Sequence, residues 1–151
     1  MIRLPQCLTR LGRRATPLGI VLTVVFANSC NTVTQGTLVG DWTLTAASRQ
    51  HLPANLHDVA TRVNLQSDGA FIAVDLPDKR VESSGVFVFT KSGSGTWKVL
   101  MFAGKERVEL FFADGSGAEF NISNALLAEP TLYYFLTDPD SGPPLELVRL
   151  R

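Results

Sequence analysis

From Leu38 to Leu150 the chain is written in short alternating runs of apolar and polar residues, the period of two that sends successive side chains to opposite faces of a β-strand. Leu38 to Thr45 alternates after its first pair, Arg62 to Gln66 alternates again, and the pattern resumes at Phe71 to Leu76. The Asp68-Gly69 pair between the last two runs predicts a tight hairpin, with Gly69 supplying the positive φ that the turn demands. Further strands are predicted at Gly85 to Thr90, Thr96 to Phe102, Arg107 to Phe112, Ala118 to Ile122, Leu132 to Leu136 and Leu145 to Leu150. Turn residues separate them: Ser92-Gly93-Ser94-Gly95, Ala103-Gly104-Lys105, Asp114 to Gly117, and Asp138 to Pro144. Eight or nine short strands joined locally predict an all-β domain, a single antiparallel up-and-down β-barrel of about eight strands, since closure removes the exposed edges that invite aggregation. Ala47 to Ala60 breaks the pattern and holds both histidines; it reads as a loop or a short helix lying across one mouth of the barrel.

The first thirty residues follow another rule. Arg3, Arg10, Arg13 and Arg14, with no acid among them, precede an apolar run from Leu18 to Ala27 that gives way to Asn28-Ser29-Cys30. As a helix that run spans about 15 Å against a hydrocarbon core of about 30 Å, so it reads as an export signal and not as a permanent membrane span. Two processing readings use the same residues. Phe26 to Cys30 resembles the lipobox of bacterial lipoproteins, which implies cleavage between Ser29 and Cys30 and acylation of Cys30. Asn28 and Ala27 depart from that pattern, and Val25-Phe26-Ala27 also fits ordinary signal-peptide cleavage between Ala27 and Asn28. The expected organisation is therefore 1–29 as a lipoprotein-type signal peptide, 30–37 as a polar tether and 38–151 as the barrel domain.

Cysteine and charge sharpen this picture. Cys7 lies in the leader, so the mature chain holds only Cys30, at its end, and forms no internal disulfide. A lone terminal thiol in an exported protein is exposed to oxidation and cross-linking, and acylation removes that liability, which favours the anchored reading over simple secretion. The full chain is neutral, but with the leader removed ten basic residues face 14 acidic ones, a net charge of −4. The basic residues are scattered, from Arg49 and Arg62 to Lys105 and Arg107, and give no footprint for nucleic acid. The expected location is the cell envelope, on the outer membrane facing the periplasm, because Asn31 replaces the aspartate that resembles an inner-membrane retention signal; the alternative is a soluble secreted or periplasmic protein.

Gly40-Asp41-Trp42 opens the first strand, Gly93 to Trp97 carries a Gly-x-Gly-x-Trp segment, and Asp138-Pro139-Asp140-Ser141-Gly142 closes the series after the Asp68-Gly69 hairpin and Phe71. In this order, over residues 38–150, the chain resembles small bacterial lipoproteins with a lipocalin-like, or calycin, β-barrel domain. The resemblance implies that Trp42 plugs the closed end of the barrel and that an arginine from a late strand packs over it, for which Arg149 is the counterpart. Gly40, Trp42, Gly95, Trp97 and Arg149 are thus read as fold-defining. Both tryptophans read first as core, each contributing about 2 to 3 kcal/mol by burial. In Phe111-Phe112 and Tyr133-Tyr134-Phe135, strand geometry places at least one ring of each group outside the barrel.

Catalytic patterns are sparse. There is no cysteine after Cys30, no Gly-x-Ser-x-Gly elbow, no phosphate-cradling loop and no His-Glu-x-x-His. His51 and His57, six apart, do not share a helical face, and solvated loop residues explain them better than a metal site with Asp58. Asp138 to Gly142 has Arg149 where a calcium loop needs glutamate, and reads as a rigid turn. No enzyme, cofactor or metal is expected. Two readings remain: a barrel that binds a small hydrophobic or amphiphilic ligand, or an envelope protein-interaction module with a filled barrel. They divide on whether a pocket of a few hundred Å³ is left open.

Overall fold

The alternating runs become eight strands of one sheet that closes on itself. The computed structural model describes residues 33–123, 129–137, 139–140 and 142–151. In it the strands β1 (Gly40–Leu44), β2 (Arg62–Leu65), β3 (Ala70–Glu82), β4 (Gly85–Phe102), β5 (Lys105–Phe112), β6 (Gly117–Ser123), β7 (Thr131–Tyr134) and β8 (Leu145–Arg149) follow one another around the wall. Every neighbouring pair is antiparallel, and β8 returns to β1 through Trp42 opposite Arg149, Thr43 opposite Val148 and Leu44 opposite Leu147. This is the closed up-and-down barrel that the alternation predicts. Its inward positions carry Trp42, Leu44, Val63, Leu65, Phe71, Trp97, Val108, Leu110, Phe120, Leu132 and Leu147, all buried.

An up-and-down order sends the connections alternately to the two ends. The β2–β3, β4–β5 and β6–β7 links share one end with the segment that enters β1, where α1 (Gln35–Leu38) forms a single turn. At the other end lie the β1–β2, β3–β4, β5–β6 and β7–β8 links. The β1–β2 link is the stretch that broke the strand pattern. It forms α2 (Ala46–Gln50), capped by the Thr45 hydroxyl accepting from the Ser48 N–H, and then a 3-10 turn at Ala54–Leu56. Its Leu52 and Leu56 are buried in the core, so helix and loop together lie across part of that mouth.

Three boundaries differ from the sequence reading, one of them the end of β3, which runs past Leu76 to Glu82. Ser92-Gly93-Ser94-Gly95, expected to be a turn, lies inside β4, with Gly93 opposite Ala73 and Gly95 opposite both Phe71 and Phe112. The glycines there serve close packing and not chain reversal: a Cβ on Gly93 would stand 3.0 Å from the Phe112 ring, and one on Gly95 would stand 1.9 Å from the Phe111 carbonyl oxygen. Two predicted strands thereby merge into one of 18 residues. The hairpin at Asp68-Gly69 forms as predicted, Gly69 taking φ +85°.

The third difference is at the entrance. Residues 33–37, expected within the polar tether 30–37, are bound to the barrel: the Val33 N–H donates to both carboxylate oxygens of Glu106, and the Arg149 guanidinium donates to the Thr37 carbonyl. Leu38 is fully buried, and seating it draws the preceding turn onto the sheet. The leader and the processing positions Ala27, Asn28, Ser29 and Cys30 lie outside the described residues, as do Asp138 and Ser141 of the expected closing turn.

β3 and β4 outrun the wall. Beyond a bulge between Ala73 and Leu76, where Asp75 takes φ 48° and its N–H donates to the Ser92 hydroxyl, the two strands pair only with each other as far as Glu82 and Gly85. The bulge bends β3 at the point where β2 ends, and the paired remainder stands at the mouth as a two-stranded arm.

Candidate functional site

The two ends are built differently. At the closed end the Trp42 indole N–H donates to the Leu38 carbonyl at 2.9 Å, and the Trp97 indole N–H donates to the Gln66 carbonyl at 2.9 Å. Each ring thus buries its large apolar face while its one polar atom is satisfied by backbone. Arg149, carried opposite Trp42 by the β1–β8 register, holds its guanidinium carbon 5.2 Å from the centre of the Trp42 ring. Gly40, at φ +141°, leaves its Cα side against the Arg149 stem. Four of the five positions read as fold-defining, Gly40, Trp42, Trp97 and Arg149, are therefore brought together around this end; Gly95 sits along the wall where β5 crosses closest to β4.

The mouth end holds a cleft of about 380 Å³. Its floor is Leu76 and Phe112, both buried, with Ala118 on one side and the Tyr134 ring on the other. The Tyr134 ring packs edge-on against Phe120, centroids 5.0 Å apart, and its hydroxyl donates across the mouth to the Pro77 carbonyl at 2.9 Å. Burial, with the Asp78 carboxylate adding to it, pushes the Tyr134 phenol well above its ordinary range, so the hydroxyl keeps its proton. Asp78 and Lys79 on the arm, and Glu119 and Asn121 on β6, complete the polar rim.

Lys91 is a largely covered charged group of this wall. Its ammonium stands 4.1 Å from the centre of the Phe112 ring and 3.0 Å from an Asp114 carboxylate oxygen, and its side chain is only 16% exposed. Asp114, in the β5–β6 turn, accepts from the Ser116 hydroxyl and the Ser116 N–H, and these bonds, with the Lys91 ammonium, hold its pKa down to about 2. The site thus presents an apolar floor, a cation already neutralised by a carboxylate, and a phenol fixed as a donor to backbone. Such groups are of the kind that can orient a guest of mixed apolar and polar character.

Sequence reasoning missed Lys91 and Asp78 as residues of one cleft and Asp114 as the partner of Lys91, because contacts such as Lys91 to Phe112 cross between strands without a local signal. Of the lining, the sequence singled out the two aromatic groups: Phe112 comes from one, Tyr134 and Phe135 from the other, while Tyr133 meets Phe135 edge-on, centroids 6.1 Å apart. In the other aromatic pair Phe112 is buried and Phe111 is exposed under the Lys98 ammonium. The His57 ring nitrogen Nε2 lies 2.7 Å from the Leu52 carbonyl, which ties it to its own loop. Among the described residues no three His, Cys, Asp or Glu side chains converge as a metal site would require, and no helix is long and apolar enough to cross a membrane. A second hollow of about 480 Å³ beside Gln35, Asp68 and Lys98 is shallower and lies on the outer wall.

Fold and site together define a closed eight-stranded up-and-down β-barrel, sealed at one end and indented at the other. The chain matches no protein-family model, no curated protein and no solved structure.

Proposed function

We propose that the protein is an exported, non-catalytic β-barrel, held in the cell envelope by an acyl chain on Cys30, that binds a small hydrophobic or amphiphilic molecule in the mouth cleft. The observation that carries the binding reading is the cleft itself: about 380 Å³ over an apolar floor of Leu76, Phe112 and Tyr134, rimmed by Lys79, Asp78 and Asn121. That volume suits one short acyl chain or a ring system, and the polar rim suits its headgroup. The interior below the floor is packed, so the guest lies in the mouth and not at the barrel centre. The anchor rests on sequence, on the basic leader and the lipobox-like Phe26 to Cys30. Kinship with lipocalin-like lipoproteins is part of the same reading, supported by Arg149 over Trp42.

Titration with an environment-sensitive single-chain amphiphile, of wild type and of Ala118→Phe, tests the cleft. Wild type is expected to bind it and the filled variant to lose most of that affinity; equal binding by a folded Ala118→Phe protein would sink the cleft as the site. Intact mass and membrane partitioning of wild type beside Cys30→Ser test the anchor. A chain beginning at Asn28 without acyl groups would mean ordinary secretion.

A protein-interaction role is favoured by a different observation, the arm. Val81, Val86 and Phe87 near its tip are exposed, and Val81 and Val86 stand directly opposite each other. An amphiphile that fails to bind, together with a pulled-down partner lost on Val81→Ser/Val86→Ser, would decide for that reading.

A further inference from the structure

We propose that the β4–β5 turn at the closed end is a second membrane contact, so that the barrel stands on the bilayer beside its acyl anchor with the mouth turned away from the lipid. The inference rests on the anchored reading above. Met101 and Phe102, immediately before the Ala103-Gly104 turn, are 62% and 61% exposed, a large apolar surface at a hairpin tip. Strand alternation sends them to opposite faces: Met101 stands opposite Glu106 and Phe102 opposite Lys105. A protein lying flat on one face would cover one of the two side chains. A lipid surface that receives the tip end-on covers both.

The surroundings fit a headgroup layer. Lys105 follows the turn, exposed, and the Arg107 guanidinium lies 4.6 Å from the centre of the Phe102 ring while paired with the Glu119 carboxylate, so Lys105 is the cation beside the apolar tip where lipid phosphates would be. The course of the chain points the same way. Glu106, opposite Met101, holds the Val33 N–H with both carboxylate oxygens, at 3.0 and 2.9 Å. Cys30 precedes Val33 by three residues, and at about 3.5 Å per extended residue its Cα is limited to about 10 Å from Val33. An acyl chain on Cys30 therefore enters the bilayer next to this turn. One acyl signal alone gives marginal binding, and an apolar tip beside it supplies a second. The arm with Val81 and Val86 lies at the opposite end by the up-and-down order.

The test places a tryptophan at the turn, Phe102→Trp, and as control one on the arm, Val86→Trp, in the full-length chain passed through export. The purified proteins are reconstituted in phosphatidylcholine–phosphatidylglycerol vesicles with brominated acyl chains. Trp42 and Trp97 are buried and supply the wild-type background. The added emission of Trp at 102 is expected to be lost to bromine quenching, and that of Trp at 86 to be retained. Intact mass of the same preparation reads acylation separately. Acylated protein whose Trp at 102 is unquenched overturns the second contact and leaves the anchor standing. Unacylated protein with quenched Trp at 102 removes the anchor but upholds the lipid contact; unacylated and unquenched removes both. A Trp at 102 already shielded without vesicles, in a chain that sediments as a dimer, overturns the proposal in favour of a second copy.

Discussion

The two ends of this barrel use aromatic side chains to opposite effect. At the closed end each indole N–H finds a backbone carbonyl and the rings are sealed from solvent, with Arg149 laid over Trp42. At the mouth Phe112 and Tyr134 line an open space of about 380 Å³; the Tyr134 hydroxyl also finds a backbone carbonyl, that of Pro77, but charged side chains, Asp78, Lys79, Lys91 and Glu119, surround the rings. An aromatic ring plugs a barrel when its polar tip is satisfied from within, and floors a cleft when its neighbours are charged. The contrast separates an end that is packed shut from an end that is left open.

The comparison breaks first at the closed end. Trp42→Ala is expected to cost about 3 to 5 kcal/mol, the range for emptying a large aromatic site, read as a shift in the urea midpoint at unchanged slope. A loss below about 1 kcal/mol would mean that the plug is not what holds the barrel shut. Next comes the wall: Gly95→Val forces a Cβ into the Phe111 carbonyl, which is backbone and yields little, and an expected cost of about 3 kcal/mol would appear in the same denaturation series. A smaller effect is expected of Arg149→Met, which keeps the stem but loses the cation over Trp42 and the bond to the Thr37 carbonyl. About 1 to 2 kcal/mol should go, with no change in amphiphile affinity; an affinity change would show that the two ends are coupled.

Smallest is the mouth. Asp114 is a group whose folded pKa lies below its ordinary 3.8, so the stability it contributes is present above that value and is lost as pH falls through about 2. Because the carboxylate is well exposed to solvent, the effect is slight. Wild type should be slightly more stable than Asp114→Asn near neutrality, and thermal unfolding should show that gap close as pH drops from about 4 to about 2. Parallel curves across the acid range would mean that the Lys91–Asp114 pair is incidental to the turn.

How much of this was legible beforehand depends on whether a residue's role is set by its near neighbours in sequence. The alternation at Arg62 to Gln66 and Phe71 to Leu76, with Gly69 between, specified a hairpin because period and turn chemistry are local. Ser92 to Gly95 misled, because a glycine needed for close approach across strands looks in sequence like one needed for a turn. What the glycines admit, the Phe111 carbonyl and the Phe112 ring, lies 16 and 19 residues away. The arm has another cause: β3 runs past its predicted end at Leu76 to Glu82, through Pro77, which breaks the local strand signal.

The sequence by itself determined the strand pattern, the closure of a single barrel, the hairpin at Asp68-Gly69 and the burial of Trp42 and Trp97, since each follows from period, composition and backbone freedom. Tertiary structure decided the rest. It set β1 against β8 so that Arg149 faces Trp42, turned Tyr134 across the mouth to Pro77, and brought Lys91 between Phe112 and Asp114. Those contacts depend on register and shear around a closed sheet, which side chains far apart in the chain fix jointly, and no single stretch of residues encodes them.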